Sequence, residues 1–189
     1  MSTIKVSTIS PLGTDATKTI TVGASGDTFT VTDGVTVSGA GANTPAFSAY
    51  LSSAQSISVS TWTKVAFNAE FFDTNSAFDT SNNRFTVPSN LAGKYCFIGQ
   101  INMEYIDDNK TFRMSWYKNG SSFMTGTMLK SPGANGSFIY QNTTILDLTV
   151  GDYIELYGYT DNSDTNVTFQ DGGSPYGSTG LLGYKLIGA

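Results

Sequence analysis

The sequence predicts an all-β fold, a β-sandwich or jelly roll of many short strands, on three observations. Apolar and aromatic residues recur in strand-length groups, Asn, Asp and Gly punctuate those groups, and no segment carries a helical period. The 12 Phe and 10 Tyr in 189 residues argue the same way, because aromatic side chains suit a half-buried pleated surface and exclude a disordered chain.

In chain order, the first signals are small. Between Lys18 and Asn43 apolar pairs recur at Ile20 and Val22, Phe29 and Val31, and Val35 and Val37, with turn chemistry at Asp33-Gly34. A ribbon with so few apolar groups is marginal by itself in water. Residues 1–44 are therefore read as a short β-rich anchor segment and linker that packs on its own head, on sister chains or on a larger assembly, a floppy polar arm being the competing reading, and residues 45–189 as the head.

Within the head, strands are expected at Ala46–Leu51, Lys64–Phe67, Arg84–Val87, Gly93–Tyr105, Thr111–Tyr117, Phe123–Leu129, Ser137–Tyr140, Thr144–Val150, Tyr153–Tyr159, Asn166–Phe169 and Gly180–Ile187. The organising one is Gly93–Tyr105. Its odd positions, Tyr95, Phe97, Gly99, Ile101, Met103 and Tyr105, form the expected core face, while Gln100, Asn102 and Glu104 make the later even face wet. After Thr111, the residues Phe112, Met114 and Trp116 share a face and Lys118-Asn-Gly-Ser121 closes a hairpin. Leu146, Leu148 and Val150 alternate into a corner turned by Gly151-Asp152.

Charge and residue types narrow the function. Ten Lys and Arg against 15 Asp and Glu give a formal net charge of -5 without a basic stripe, which excludes nucleic acid as a partner. Residues 1–11 lack the apolar core of a secretory leader and no run is long enough to cross a bilayer, so a chain folded in a cytoplasm without membrane insertion is expected. With no histidine there is no Ser-His-Asp or Cys-His set, and no phosphate-cradling glycine loop is present, so no catalytic residue is assigned and the protein is read as a non-enzyme. Cys96 has no intramolecular partner and reads as a small apolar filler. No cofactor is expected apart from calcium, for which Asp161, Asp164 and Asn166 cluster hard oxygens; a solvated acidic turn is the competing reading. Tyr157, Tyr159, Asn162 and Tyr176 are candidate ligand-binding residues, since aromatic faces stack on sugar rings and amides bond hydroxyls; the alternative is that the tyrosines fill a sheet or subunit interface.

Three separated groups carry a resemblance. Phe67, Asp73, Phe78 and Phe85 lead into Gly93-Lys-Tyr95-Cys-Phe97; Leu146-Asp-Leu148-Thr-Val-Gly151-Asp152-Tyr-Ile154-Glu-Leu156 follows; Leu181-Leu-Gly183-Tyr184-Lys-Leu186 closes the chain. Together they resemble the globular head of complement component 1q, within the tumour-necrosis-factor-like jelly rolls, from near Pro45 onward. The gap before Gly93 is longer than in that family, and Gly99 stands where the family often has an aromatic residue. The resemblance implies a jelly-roll β-sandwich of about ten antiparallel strands in two sheets, a homotrimer about a threefold axis, binding loops at its apex and no catalytic machinery. The run Thr21–Val31 is in turn similar to the leader sequences of marine bacteriophage virion proteins. The expectation is a virion structural protein assembled in the host cytoplasm, a homotrimeric short fibre or decoration protein. Residues 1–44 would dock on other virion proteins, and the head would meet a host surface polysaccharide or protein. A secreted bacterial binding module with the same head, and a capsid or tail cement protein with no outside ligand, are the alternatives.

Overall fold

The computed structural model describes residues 43–131, 133, 136–171 and 179–187; the expected anchor strands lie outside these residues. Among the described residues there are 14 strands and no helix: β1 (Ala46–Tyr50), β2 (Gln55–Ser56), β3 (Thr63–Lys64), β4 (Ala69–Asp73), β5 (Phe78–Asp79), β6 (Arg84–Thr86), β7 (Gly93–Ile106), β8 (Thr111–Lys118), β9 (Ser121–Thr125), β10 (Leu129–Lys130), β11 (Gly136–Leu148), β12 (Tyr153–Thr160), β13 (Thr168–Phe169) and β14 (Gly180–Lys185). They form two antiparallel sheets. One has the order β2-β13-β7-β14-β1-β4, with β11 along the other edge of β7; the second has the order β10-β8-β12-β6-β5, with β3 beside β12 and β9 beside β8.

The family-like aromatic residues are the core itself. Phe67, Phe85, Tyr95 and Phe97 are fully buried and Phe78 nearly so. Phe47 of β1 stacks on Phe78 at 5.0 Å and on Phe85 at 5.2 Å, and Phe85 meets Tyr95 and Phe97 at 5.2 Å each. Phe97 reaches Trp116 of the opposite sheet at 6.3 Å, so ring packing joins the two layers. Each such pair contributes about 0.5–1.5 kcal/mol beyond its buried area.

β7 keeps its odd positions buried through Met103, but Asn102, expected on the wet face, is buried as well, its side-chain oxygen accepting from the Ser137 hydroxyl at 2.9 Å; beyond Met103 the period breaks. Tyr105, expected on the core face, is 44% exposed, and Ile106 is buried instead. The pairing with β11 shifts between Gly136 and Phe138, and Tyr105 sits at φ 64, so one extra residue bulges out and the following side chain is returned to the core. A second departure concerns β11. The expected separate strands Ser137–Tyr140 and Thr144–Val150 are one, because β7 pairs with residues 136–148 along their whole length. In the joining stretch, Asn142 accepts a hydrogen bond from the Trp116 indole at 3.0 Å and is thereby tolerated in the strand. That strand stops at Leu148, leaving Val150 exposed in the corner.

The β8–β9 hairpin turns at Asn119 (φ 52) and Gly120 (φ 77), a left-handed pair that Asn-Gly adopts at low cost. β9 ends at Thr125 rather than continuing to Leu129. There the Gly126 amide bonds the Met114 carbonyl at 2.8 Å and the Thr127 amide bonds the Tyr140 hydroxyl at 2.9 Å, which carries the chain over to β10. Nor did alternation reveal β4, because a bulge places the consecutive residues Phe71 and Phe72 out together.

Candidate functional site

The two sheets present very different outer faces. On the β12 sheet, Ile154 and Leu156 point to the core, so Tyr153, Glu155, Tyr157 and Tyr159 occupy the outer side. Each tyrosine has a partner from a neighbouring strand or loop. The Arg84 guanidinium lies 4.2 Å over the Tyr153 ring, Tyr117 stacks on Tyr157 at 3.8 Å, and Trp62 meets Tyr159 at 5.3 Å. Between these rings Glu155 is buried and pairs with Lys64 at 2.8 Å. Partial burial, followed by the Glu155 charge, pushes the phenols of Tyr117 and Tyr157 up, so both stay neutral donors near neutral pH. The sequence candidates Tyr157 and Tyr159 thus fall in one aromatic row. Trp62, Tyr117 and Arg113 were missed, because only the strand pairing places them beside β12.

Asn162 does not join that row. It is buried; its side-chain oxygen accepts from the Asp107 amide at 2.7 Å, and its nitrogen donates to the carbonyls of Tyr105 at 3.1 Å and Asp164 at 3.2 Å. Its polar atoms are spent holding the bulge at the end of β7. Tyr176 lies outside the described residues. In the acidic turn, Asp161 accepts from the Thr111 amide at 2.6 Å, while Asp164 and Asn166 are exposed. Burial raises the Asp161 pKa, but the bonds from Thr111 outweigh it and hold the carboxyl below its usual range. Among the described residues no three His, Cys, Asp or Glu side chains converge as a metal site.

The outer face of the β7 sheet carries a patch of large apolar side chains among Ser48, Gln100 and Gln141. Leu182 pairs with Ile98 and with Ser48, and Ser48 with Phe72, which makes one row across four strands. Tyr50 stacks on Phe71 at 4.5 Å. A cleft of about 480 Å³ opens between Tyr50, Phe71 and Phe72 on one side and Ile98, Gln100 and Gln141 on the other. Phe72 at 51% and Ile145 at 60% exposure are large apolar groups left in water. The strand period marked this face only as the wet side, so its character was missed; Ile98 and the adjacent Phe71-Phe72 were the available signal.

No protein-family profile matches the chain. Among curated proteins it is similar to the uncharacterized protein YqcC of Bacillus subtilis strain 168, 30% identical over 102 residues, which is 51% of this chain and 27% of that protein. It is also similar to the phage-like element PBSX protein XkdV of the same strain, 28% identical over 122 residues, 60% of this chain and 18% of that protein. The aligned part is thus under a third of either relative. Among solved structures, the globular domain of zebrafish complement 1qA protein matches with TM-score 0.52 and 16% identity over 76% of this chain and 98% of that one. Murine APRIL matches with TM-score 0.52 and 15% identity over 75% and 98%. The head has the jelly-roll fold of the complement 1q and tumour-necrosis-factor-like domains.

Proposed function

We propose that the chain is a bacteriophage virion structural protein, a homotrimeric short fibre or decoration protein. On this reading residues 1–44 dock on other virion proteins and the head faces outward to a host surface polysaccharide or protein. The similarity to a phage-like element protein supports the setting, and the fold, shared with trimeric heads, supports the assembly. One observation carries the trimer: the outer face of the β7 sheet, away from the core, carries an apolar patch of several large side chains. An antiparallel sheet with one side on the core commonly leaves its other side polar. Here Ile98, Leu182, Phe72 and Ile145 would remain in water in a monomer, and an apolar patch of this kind marks an association surface. Second and third copies of the same chain are its occupants, since homo-oligomers close by symmetry and use one patch repeatedly.

The test has two parts. Light scattering on the purified chain should give three times the 20.1 kDa monomer mass, and Ile145→Asp or Leu182→Glu should reduce it to one chain with the far-ultraviolet spectrum unchanged. A wild-type monomer would refute the assembly. An image reconstruction of the parent particle should then show the head projecting from it, and deletion of residues 45–189 should abolish host adsorption. Adsorption that survives the deletion leaves a cement role in place of attachment.

A further inference from the structure

We infer that the aromatic row on the outer face of the β12 sheet binds an acidic polysaccharide of carboxylated pyranoses, with Tyr159 and Trp62 stacking on the sugar and Arg113 taking its carboxylate. The inference deepens the proposal above, because it needs this head to face outward. Three observations converge on it. The pairing of β12 with β8 puts Arg113 directly opposite Tyr159, whose other neighbour is Trp62, so a cation and two π faces lie in one row. The guanidinium is incompletely used. Its Nε is buried with no acceptor, Nη2 reaches only the Met128 sulfur at 3.0 Å, and among the described residues no carboxylate lies within ion-pair distance. A thioether is a weak acceptor, so the Nη end of the guanidinium keeps strong donor capacity beside the aromatic rings. Finally, the neighbouring cation is already consumed: Lys64 bonds Glu155 at 2.8 Å and the Asn82 carbonyl at 2.9 Å.

This chemistry selects its ligand class. Aromatic faces stack on the C–H surface of a pyranose, and a planar guanidinium offers two parallel donors that match a planar carboxylate. The Tyr117–Tyr157 pair follows two residues further along β12, about 7 Å away, so the surface repeats as a polymer of rings would. With a net charge of -5, the chain repels polyanions in general. Attraction therefore depends on the local cation and on the stacking. Threefold presentation would multiply weak single contacts into avidity.

Calorimetry on the full chain, supported by intrinsic fluorescence, tests this. Trp116 is 1% exposed, so of the two tryptophans Trp62 is the one a ligand on this face would quench. The probes are a linear hexuronic-acid oligomer, the neutral hexose oligomer of the same linkage, and poly(glycerol phosphate). The uronic-acid oligomer should bind and quench, and Arg113→Gln and Tyr159→Ser should each weaken it about tenfold or more, with Arg113→Lys intermediate. Equal binding of the neutral oligomer by the wild type overturns the role of Arg113, whether or not a variant folds. Equal binding of poly(glycerol phosphate) overturns the stacking, and no binding of the uronic-acid oligomer overturns the whole inference. Light scattering on the same samples separates the two readings. A monomer that binds the uronic-acid oligomer sinks only the trimer, and a trimer that ignores it sinks only this inference.

Discussion

Replacing Gly99 by alanine tests the central packing of the head. A Cβ at that position would stand 2.9 Å from Leu156 Cδ2 and 2.9 Å from Trp116 Cη2, with Trp116 Cζ2 at 3.1 Å. The leucine methyl can rotate away. The indole cannot do so cheaply, because it is 1% exposed and its Nε1 is held by Asn142 at 3.0 Å. Overpacking a filled core by one methyl group typically costs about 1–3 kcal/mol, and Gly99→Ala should fall in that range. For a head of this size each kcal/mol lowers the thermal midpoint by roughly 2–4 °C. Trp116→Phe withdraws the six-membered ring that the new methyl would strike. The double variant Gly99→Ala/Trp116→Phe should therefore be less destabilised than the sum of the singles, by about 0.5–3 kcal/mol. Urea unfolding followed by circular dichroism, at one protein concentration so that assembly does not shift the midpoints, provides the numbers. A Gly99→Ala variant as stable as wild type, or strict additivity in the double variant, would refute the claim that the Trp116 indole fills the space over Gly99.

Three other outcomes follow from the corner and the loops. Asp152 accepts from Asn119 at 2.7 Å, from Lys118 at 2.9 Å and from the Thr149 amide at 2.9 Å, and these bonds hold its carboxyl far below the ordinary range. A lowered folded pKa stabilises the protein above the unfolded value of about 3.9 and loses that contribution as pH falls toward the folded one. Asp152→Asn should accordingly be less stable at neutral pH and show a shallower acid decline in urea midpoints between about pH 5 and pH 2; parallel profiles would count against the assignment. Asn162→Ala breaks three part-buried bonds and should cost about 1–3 kcal/mol while speeding hydrogen exchange at the Asp107 amide. Because Asp161 is already engaged by Thr111, millimolar calcium should leave the thermal midpoint unchanged, and a clear rise would instead assign Asp161, Asp164 and Asn166 to a cation site.

Alternation along Gly93–Met103, the Asn-Gly turn and the spaced phenylalanines were enough to specify a sandwich and most of its buried residues. These are local signals. A slip of one residue in β7 would expose Tyr95 and Phe97 together, at about 1.5–3 kcal/mol for each, so periodicity and register are strongly tied. What the chain pairs with at long range was not legible. Tyr157 and Tyr159 could be seen on one strand, but Trp62, Tyr117 and Arg113 join them only through register across β3, β12 and β8. Asn162 looked like an exposed amide and is a buried brace, since the bulge at Tyr105 creates the partners it satisfies. The outer face of the β7 sheet likewise draws Phe72, Ser48, Leu182 and Ile98 from four separate strands. The sequence by itself determined most of the side chains that leave water, because alternation depends on neighbours two residues away. Only the tertiary structure decided which of the remaining ones stand together, because cross-strand pairing, and not sequence distance, sets that spacing.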